Sequence, residues 1–410
     1  MKPNTLMHRV VLSGLVASTL GVAAPARADA VTEWNTRAAD LTVEARLGPP
    51  LATCAMAAAQ TAVYAATNAI TRKYPESMTL DAAPGASVDA AVAAANRAVL
   101  VKFMPTAQPS IERAYQAALA PIADGAAKSA GIDVGERAAA AVLAMRAGDL
   151  SLPPDQYRPV TTAGTYVPTV TPAAVPWPQR KPWLMSSASQ FRPGPPPALA
   201  SATWARDYNE IKAVGGRNST ERTSEQTVIA KFWEATLPPV YQGVVRSVAE
   251  RPGREITANA RLFAAATQAQ DDALIAVFDA KYQYMFWRPL TAIRNGDLDG
   301  NDATARDPAW TPLIDTPMHP EYPCAHCISA GAVGAVLKAE IGDGPVGTLT
   351  TASYLVGNAK RSWTSIDAFV AEVSSARIYD GVHYRNSTEV GSAMGRRIGD
   401  LAATAFYGRK

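Results

Sequence analysis

Cysteine is nearly absent from this chain: Cys54, Cys324 and Cys327 are all that 410 residues contain. So few thiols exclude a disulfide framework as the basis of the fold. Aromatic residues make up only 7%, so the core must be built mainly from small aliphatic side chains. Net charge is almost missing too, at +3. Three of the basic residues, Lys2, Arg9 and Arg27, precede the first acid; without them 36 basic residues face 36 acidic ones. That balance gives no polybasic surface for nucleic acid or for an anionic membrane. Beyond the first thirty residues no apolar run reads as a membrane span. Histidine is scarce, with four in the chain.

The first thirty residues read as a leader. Met1–Arg9 is basic and free of acids, Val10–Ala24 is an apolar run of small residues, and Ala26-Arg27-Ala28 and Ala28-Asp29-Ala30 offer cleavage sites. This is a secretory signal pattern. The run is too short, and too broken by glycine and serine, for a membrane anchor. With no twin-arginine pair, the general secretion route is expected. The expectation is an exported protein, periplasmic or secreted, with no integral membrane segment after cleavage.

What is abundant is alanine at helical spacing, which favours helices packed closely through small side chains. Helices are expected over 31–48, 50–74, 87–104 with Ser87 as N-cap, 110–120 and 134–146. They resume over 204–214, 223–236, 254–287, 328–341, 365–378 and 387–406. Between them proline becomes dense, as in Pro153-Pro154 and Pro195-Pro196-Pro197, which excludes regular helix. The predicted fold class is all-α. Residues 31–150 form an N-terminal helical half, 151–200 a proline-rich crossover, and 201–410 a C-terminal helical bundle that carries the active site.

Three separated stretches of that bundle gather the chemistry: Lys281–Pro289 (KYQYMFWRP), Pro323–His326 (PCAH) and Ala376–Ser387 (ARIYDGVHYRNS). They supply Lys281, Arg288 and Arg377 together with His326 and His383. Three fixed cations around two histidines suit a tetrahedral oxyanion. The seven-residue spacing of Lys281 and Arg288 predicts one face of one helix, ended by Pro289. Cations within so apolar a stretch need an anionic partner. Prolines up to Pro323 predict a helix starting near Cys324, with His326 in its first turn beside free backbone N–H groups. Asp380-Gly381 predicts a helix break, letting Arg377 close one helix and His383 open the next. Ser387, four residues on, is placed to fix the His383 tautomer. Cys324 and Cys327 form a C-x-x-C pair, either bridged or reduced; a redox-active site lacks the βαβ pattern it would need. Metal binding through Cys324, His326 and Cys327 is crowded, with His319 the one further candidate ligand nearby. Asp297-x-Asp299-x-Asn301 lacks the glycine and closing glutamate of a calcium loop and reads as a turn.

These segments resemble the phosphatidic acid phosphatase type 2 and vanadium-dependent haloperoxidase superfamily, whose pattern is K-x6-R-P, then P-S-G-H, then S-R-x5-H-x3-D. Lys281, Arg288 and Pro289 match the first block. Pro323 and His326 match the second, with Cys324 and Ala325 in place of its serine and glycine. Arg377 and His383 match the third, with Ala376 and Ser387 in place of its serine and aspartate. The stretch Arg222–Trp233 also resembles bacterial haloperoxidase-like proteins. The resemblance implies that Lys281, Arg288, Cys324, Ala325 and Arg377 hold the oxyanion. His383 would bind vanadate or attack phosphorus, and His326 would be the acid–base partner, with Ser387 orienting His383.

The function implied first is a vanadate-dependent haloperoxidase-like enzyme acting on peroxide and halide. The alternative is a periplasmic acid phosphatase that needs no cofactor and cleaves phosphomonoesters through a phosphohistidine. A third reading is a non-catalytic oxyanion-binding protein. Because serine cannot stabilise positive charge on His383, Ser387→Asp is expected to raise activity.

Overall fold

The computed structural model describes residues 28–75, 78, 80–168, 170–236 and 238–408. The leader expected over residues 1–30 falls almost wholly outside them. The described chain is all-α apart from one short ribbon. The N-terminal half is α1 (Ala30–Glu44), α2 (Pro49–Thr71), α3 (Val88–Phe103), α4 (Gln108–Leu119) and α5 (Ala126–Met145). The C-terminal half opens with α6 (Ala202–Val214), α7 (Ser224–Phe232), α8 (Pro238–Ala249), α9 (Ile256–Tyr284) and α10 (Pro289–Arg294). It continues through α11 (Ala325–Ile341), the strands β1 (Leu349–Ser353) and β2 (Ala359–Trp363), α12 (Ile366–Tyr379) and α13 (Arg385–Tyr407). No described helix is long and apolar enough to cross a membrane.

Helix starts follow local chemistry. The Ser87 hydroxyl accepts from the Ala90 amide at 3.2 Å, capping α3. Thr223 and Gln226 form a reciprocal capping box at the start of α7, which satisfies two amides that the helix cannot. Alanine sets the packing distance: nearly every residue of α2 from Ala52 to Ala69 is buried, and α2 lies along α9. Helices α11 and α13 approach still more closely. A Cβ at Gly395 would collide with the Ile328 carbonyl oxygen, so this contact requires glycine.

Three elements escaped the sequence reading, one of them the short helix α10 that starts at Pro289. Helix α8 carries Val240, Tyr241, Val244, Val245 and Val248 on its buried face, a helical period that follows Pro238-Pro239 and was legible. The antiparallel ribbon pairs Leu349 with Trp363 and Ser353 with Ala359; its five-residue strands are too short to give a clear alternation.

The two halves share one apolar core, running from Trp34 and Met56 through Phe263 to Ile398. The crossover is irregular as expected, and α9 holds it down. The Asp272 carboxylate accepts the backbone amides of Trp183, Leu184 and Met185 at 2.7, 2.9 and 3.0 Å. Its neighbour Asp271 takes the Arg180 guanidinium at 2.7 and 2.9 Å and the Trp183 indole at 2.8 Å. Both the Arg180 and Asp271 side chains are fully buried. Arg180 keeps a second carboxylate, Asp149 at 2.8 Å, but loss of Asp271 removes two of its charge-assisted bonds and the Trp183 indole's acceptor in a dry site. Asp271→Ala should therefore lower unfolding free energy by about 1.5–3 kcal/mol in urea titrations followed by circular dichroism. A loss below about 1 kcal/mol would show that the crossover is not clamped there.

Candidate active site

The site is built where four segments converge. They are the chain after α9, the loop before α11, the first turn of α11 and the turn between α12 and α13. A cavity of about 230 Å³ lies against the last three of them, and His319, His326 and His383 all line it. Three of the four histidines therefore meet in one place. Ala325 and Ser329 also line it, and Leu274, Phe278, Pro317 and Pro49 make its apolar walls.

Lys281 and Arg288 do not share a helix face. Helix α9 ends at Tyr284, Met285 turns left-handed at φ 52°, and Arg288 is the extended N-cap of α10. Pro289 disfavours helical backbone at Arg288 yet suits the first position of a new helix, so it starts α10 rather than ending helix altogether. The two side chains converge through this break instead. Lys281 is fully buried. Its ammonium donates to the carbonyls of Pro320 and Glu321 at 2.9 and 2.8 Å. Burial, then the Arg288 charge, holds its pKa well below the ordinary lysine value.

Arg288 is the hub. Its Nε donates to the His319 carbonyl at 2.9 Å and its Nη1 to the Val382 carbonyl at 2.9 Å. Nη1 also lies 3.3 Å from His383 Nε2, and Nη2 lies 2.9 Å from His319 Nδ1. Burial lowers its pKa to about 10, against the Glu321 charge, which raises it. Arg377, in the last turn of α12, donates to the Trp233 carbonyl at 2.8 Å and pairs with Asp380 at 2.8 Å. Its Nε has no hydrogen-bond partner among the described residues.

Asp380 caps α12 and Gly381, at φ 85°, turns the chain. His383 then stands two residues ahead of α13, facing the cavity. Its Nδ1 lies 2.7 Å from Glu321 Oε1 and 3.4 Å from the Ser387 hydroxyl. Arginine has no acceptor, so the Arg288 contact makes Nε2 the lone-pair nitrogen and puts the proton on Nδ1. Burial first, then Arg288 and Lys281, pushes His383 well below the ordinary imidazole pKa. Burial lifts Glu321 to about 7, against the lowering pull of Lys281 and Arg288.

His326 sits in the first turn of α11, and its Nε2 is buried without a partner among the described residues. Burial, then Arg377 and Lys281, depresses its pKa well below normal. First-turn amides have no intrahelical acceptor, so Ala325 and His326 present N–H groups at this end. Cys324 is different. It is the N-cap of α11 and is disulfide-bonded to Cys327. Its sulfur accepts from the Cys327 amide at 3.1 Å, and its own amide donates to the Ser387 carbonyl at 3.2 Å. With no thiol proton and its amide engaged, Cys324 is not the oxyanion donor expected from the sequence.

Sequence reasoning missed Glu321, and it weighed His319 only as a metal ligand. Their signal was proximity to the Pro323–His326 motif. The Asp297–Asn301 stretch does form a turn: Asp299 accepts from the Trp204 indole at 2.7 Å and from the Thr304 hydroxyl.

Residues 261–407 match the family described as the vanadium chloroperoxidase (VCPO) second helical-bundle domain. A stretch of 196 residues is 30% identical to vanadium chloroperoxidase from Curvularia inaequalis, covering 40% of this chain and 31% of that protein's length. The chain thus spans about a third of this relative. A bacterial vanadium-dependent iodoperoxidase structure superposes with TM-score 0.76 over 92% of this chain and 95% of that one, at 22% identity. A bacterial vanadium-dependent chloroperoxidase in its holo form gives 0.70 over 88% and 94%, at 18% identity. At these identities the structures speak for the fold.

Proposed function

We propose that this chain, a member of the phosphatidic acid phosphatase type 2 and vanadium haloperoxidase superfamily, is a vanadate-dependent haloperoxidase-like enzyme. One observation carries the reading. His383 and His326 line one cavity, and His383 Nε2 accepts from Arg288 while Lys281 and Arg377 act on the same imidazole, so that three buried cations stand against the two buried carboxylates of Glu321 and Asp380. Such a surplus of buried positive charge calls for an anion.

The residues suit an oxyanion such as vanadate. His326 Nε2 and Arg377 Nε are buried polar atoms without protein partners among the described residues, and the amides of Ala325 and His326 point from a helix N-terminus. When bound, vanadate would supply the Lewis acid that activates hydrogen peroxide toward halide. His383 would hold it through Nε2. Lys281, Arg288 and Arg377 would draw charge from its oxygens, and His326, neutral at rest, would take or return a proton across the cavity. Substrates are small: peroxide and halide. The basic, apolar leader pattern adds the proposal that the protein is exported.

A phosphatase on the same residues is the second reading, and Glu321 favours it. A carboxylate against His383 Nδ1 supports an imidazole that must become a phosphohistidine. One preparation, divided, decides between them. Half is loaded with vanadate and given peroxide with iodide, bromide or chloride. Half is given a simple phosphomonoester. Halide oxidation that needs vanadate is the expected result. Phosphomonoester hydrolysis inhibited by vanadate, without halide oxidation, would reverse the order. Anion binding without either activity would leave a binding protein.

A further inference from the structure

We propose that Glu321 is the positioning carboxylate of His383, supplied from the loop before α11 in place of the missing acid four residues after the histidine. The proposal rests on the oxyanion-site reading above. The superfamily pattern puts aspartate at the position of Ser387. Here Ser387 lies 3.4 Å from His383 Nδ1, a weak contact, whereas Glu321 Oε1 lies at 2.7 Å. The acid has changed segments rather than disappeared.

The loop is built to hold it. The Glu321 amide donates to the Phe286 carbonyl at 2.9 Å. Its carbonyl accepts from the Lys281 ammonium at 2.8 Å. Its Oε1 accepts a second bond from the Tyr384 amide at 3.1 Å, beside the His383 contact. Backbone and side chain are thus each fixed, and the residue is fully buried. Lys281 gains a second task, anchoring the loop that carries the acid.

Two independent contacts agree on the outcome. Arg288 can only donate, so it selects His383 with a bare Nε2. Glu321 can only accept from Nδ1 when ionised, so it selects the same tautomer. A carboxylate at Nδ1 also makes Nε2 a stronger donor to an electrophilic centre. This changes the expectation for Ser387. With Nδ1 already bonded, Ser387→Asp would place a second carboxylate beside the first, and like charges crowded at one site oppose each other. It should bring no gain in the native background.

The test uses full-length protein labelled with 15N-histidine, read by NMR for the His383 tautomer and by titration with inorganic phosphate and with vanadate. The His383 signal is assigned with His383→Gln. Glu321→Ala should lose the fixed Nδ1–H tautomer and weaken anion binding by about 10–100-fold. Glu321→Gln, which still offers Oε1 to both N–H groups, should keep the tautomer and the fold. Ser387→Asp in the Glu321→Ala background should recover both tautomer and affinity, while Ser387→Asp alone should raise neither. An unchanged tautomer in Glu321→Ala, or no recovery in the double variant, overturns the proposal, because a merely structural glutamate would lower stability without either signature. If the native protein binds neither anion, the oxyanion reading fails, while the tautomer still decides Glu321.

Discussion

His383→Ala should abolish turnover, with a fall on the order of 10⁴–10⁶-fold in whichever activity the native protein shows. Both readings pass through one atom. Nε2 either holds the vanadate or attacks the phosphoryl group, and no neighbouring histidine can replace it. His319 already gives its Nδ1 to Arg288 at 2.9 Å. His326 has a free Nε2 but projects from the α11 terminus and lacks a carboxylate on its ring. The variant also strands the buried Glu321 carboxylate, so a stability loss of about 1–3 kcal/mol should accompany it. Urea unfolding separates the two effects: assays run well below the midpoint still show the lost turnover. Because the vacated space adjoins the cavity, added imidazole should restore part of the rate. Retention of more than about a tenth of native activity would remove His383 from the reacting centre, since losing the nucleophile of such a site is far more damaging.

The helical character of this chain was legible because alanine, caps and prolines act locally. The Ser87 cap could be read from its immediate neighbours, and the proline run from Pro153 to Pro197 excluded helix on sterics alone. The matching residues of the site were legible from motif spacing. Their geometry was not. Lys281 and Arg288 meet through a left-handed Met285 and a new helix at Pro289, not along one helix face. That turn depends on the Tyr166 amide bonding the Met285 carbonyl at 2.7 Å, a contact across more than a hundred residues that no local pattern records. Glu321 escaped for the same reason. Its partner is 62 positions away, whereas the sequence pattern pointed to Ser387. The Cys324–Cys327 bridge remained open in the sequence because a C-x-x-C pair permits either state.

Arg288 should prove the most demanding cation to replace, because its shape matters as much as its charge. One guanidinium reaches the carbonyls of His319 and Val382 and both imidazoles, His319 and His383. A lysine carries the charge on a single rotatable ammonium and cannot span four partners in fixed directions. Arg288→Lys should therefore recover little of what Arg288→Ala loses. For Arg288→Ala the expected losses are about 10²–10³-fold in anion affinity and a comparable further factor in turnover, in line with removing a preorganised charge-stabilising donor. Stability reads the same interaction without catalysis. Vanadate or phosphate at a hundredfold its dissociation constant should stabilise the native protein by about 2.7 kcal/mol, and at that same concentration this gain should vanish in both variants. The anion-free protein should lose less than the number of broken bonds suggests, because the Arg288 charge lowers the pKa of the buried Lys281 and both cations draw on the same Glu321 carboxylate. Removing one relieves the other. Anion-dependent stabilisation that survives in Arg288→Lys would make Arg288 a simple counter-charge and shift the geometric role to Lys281 and Arg377.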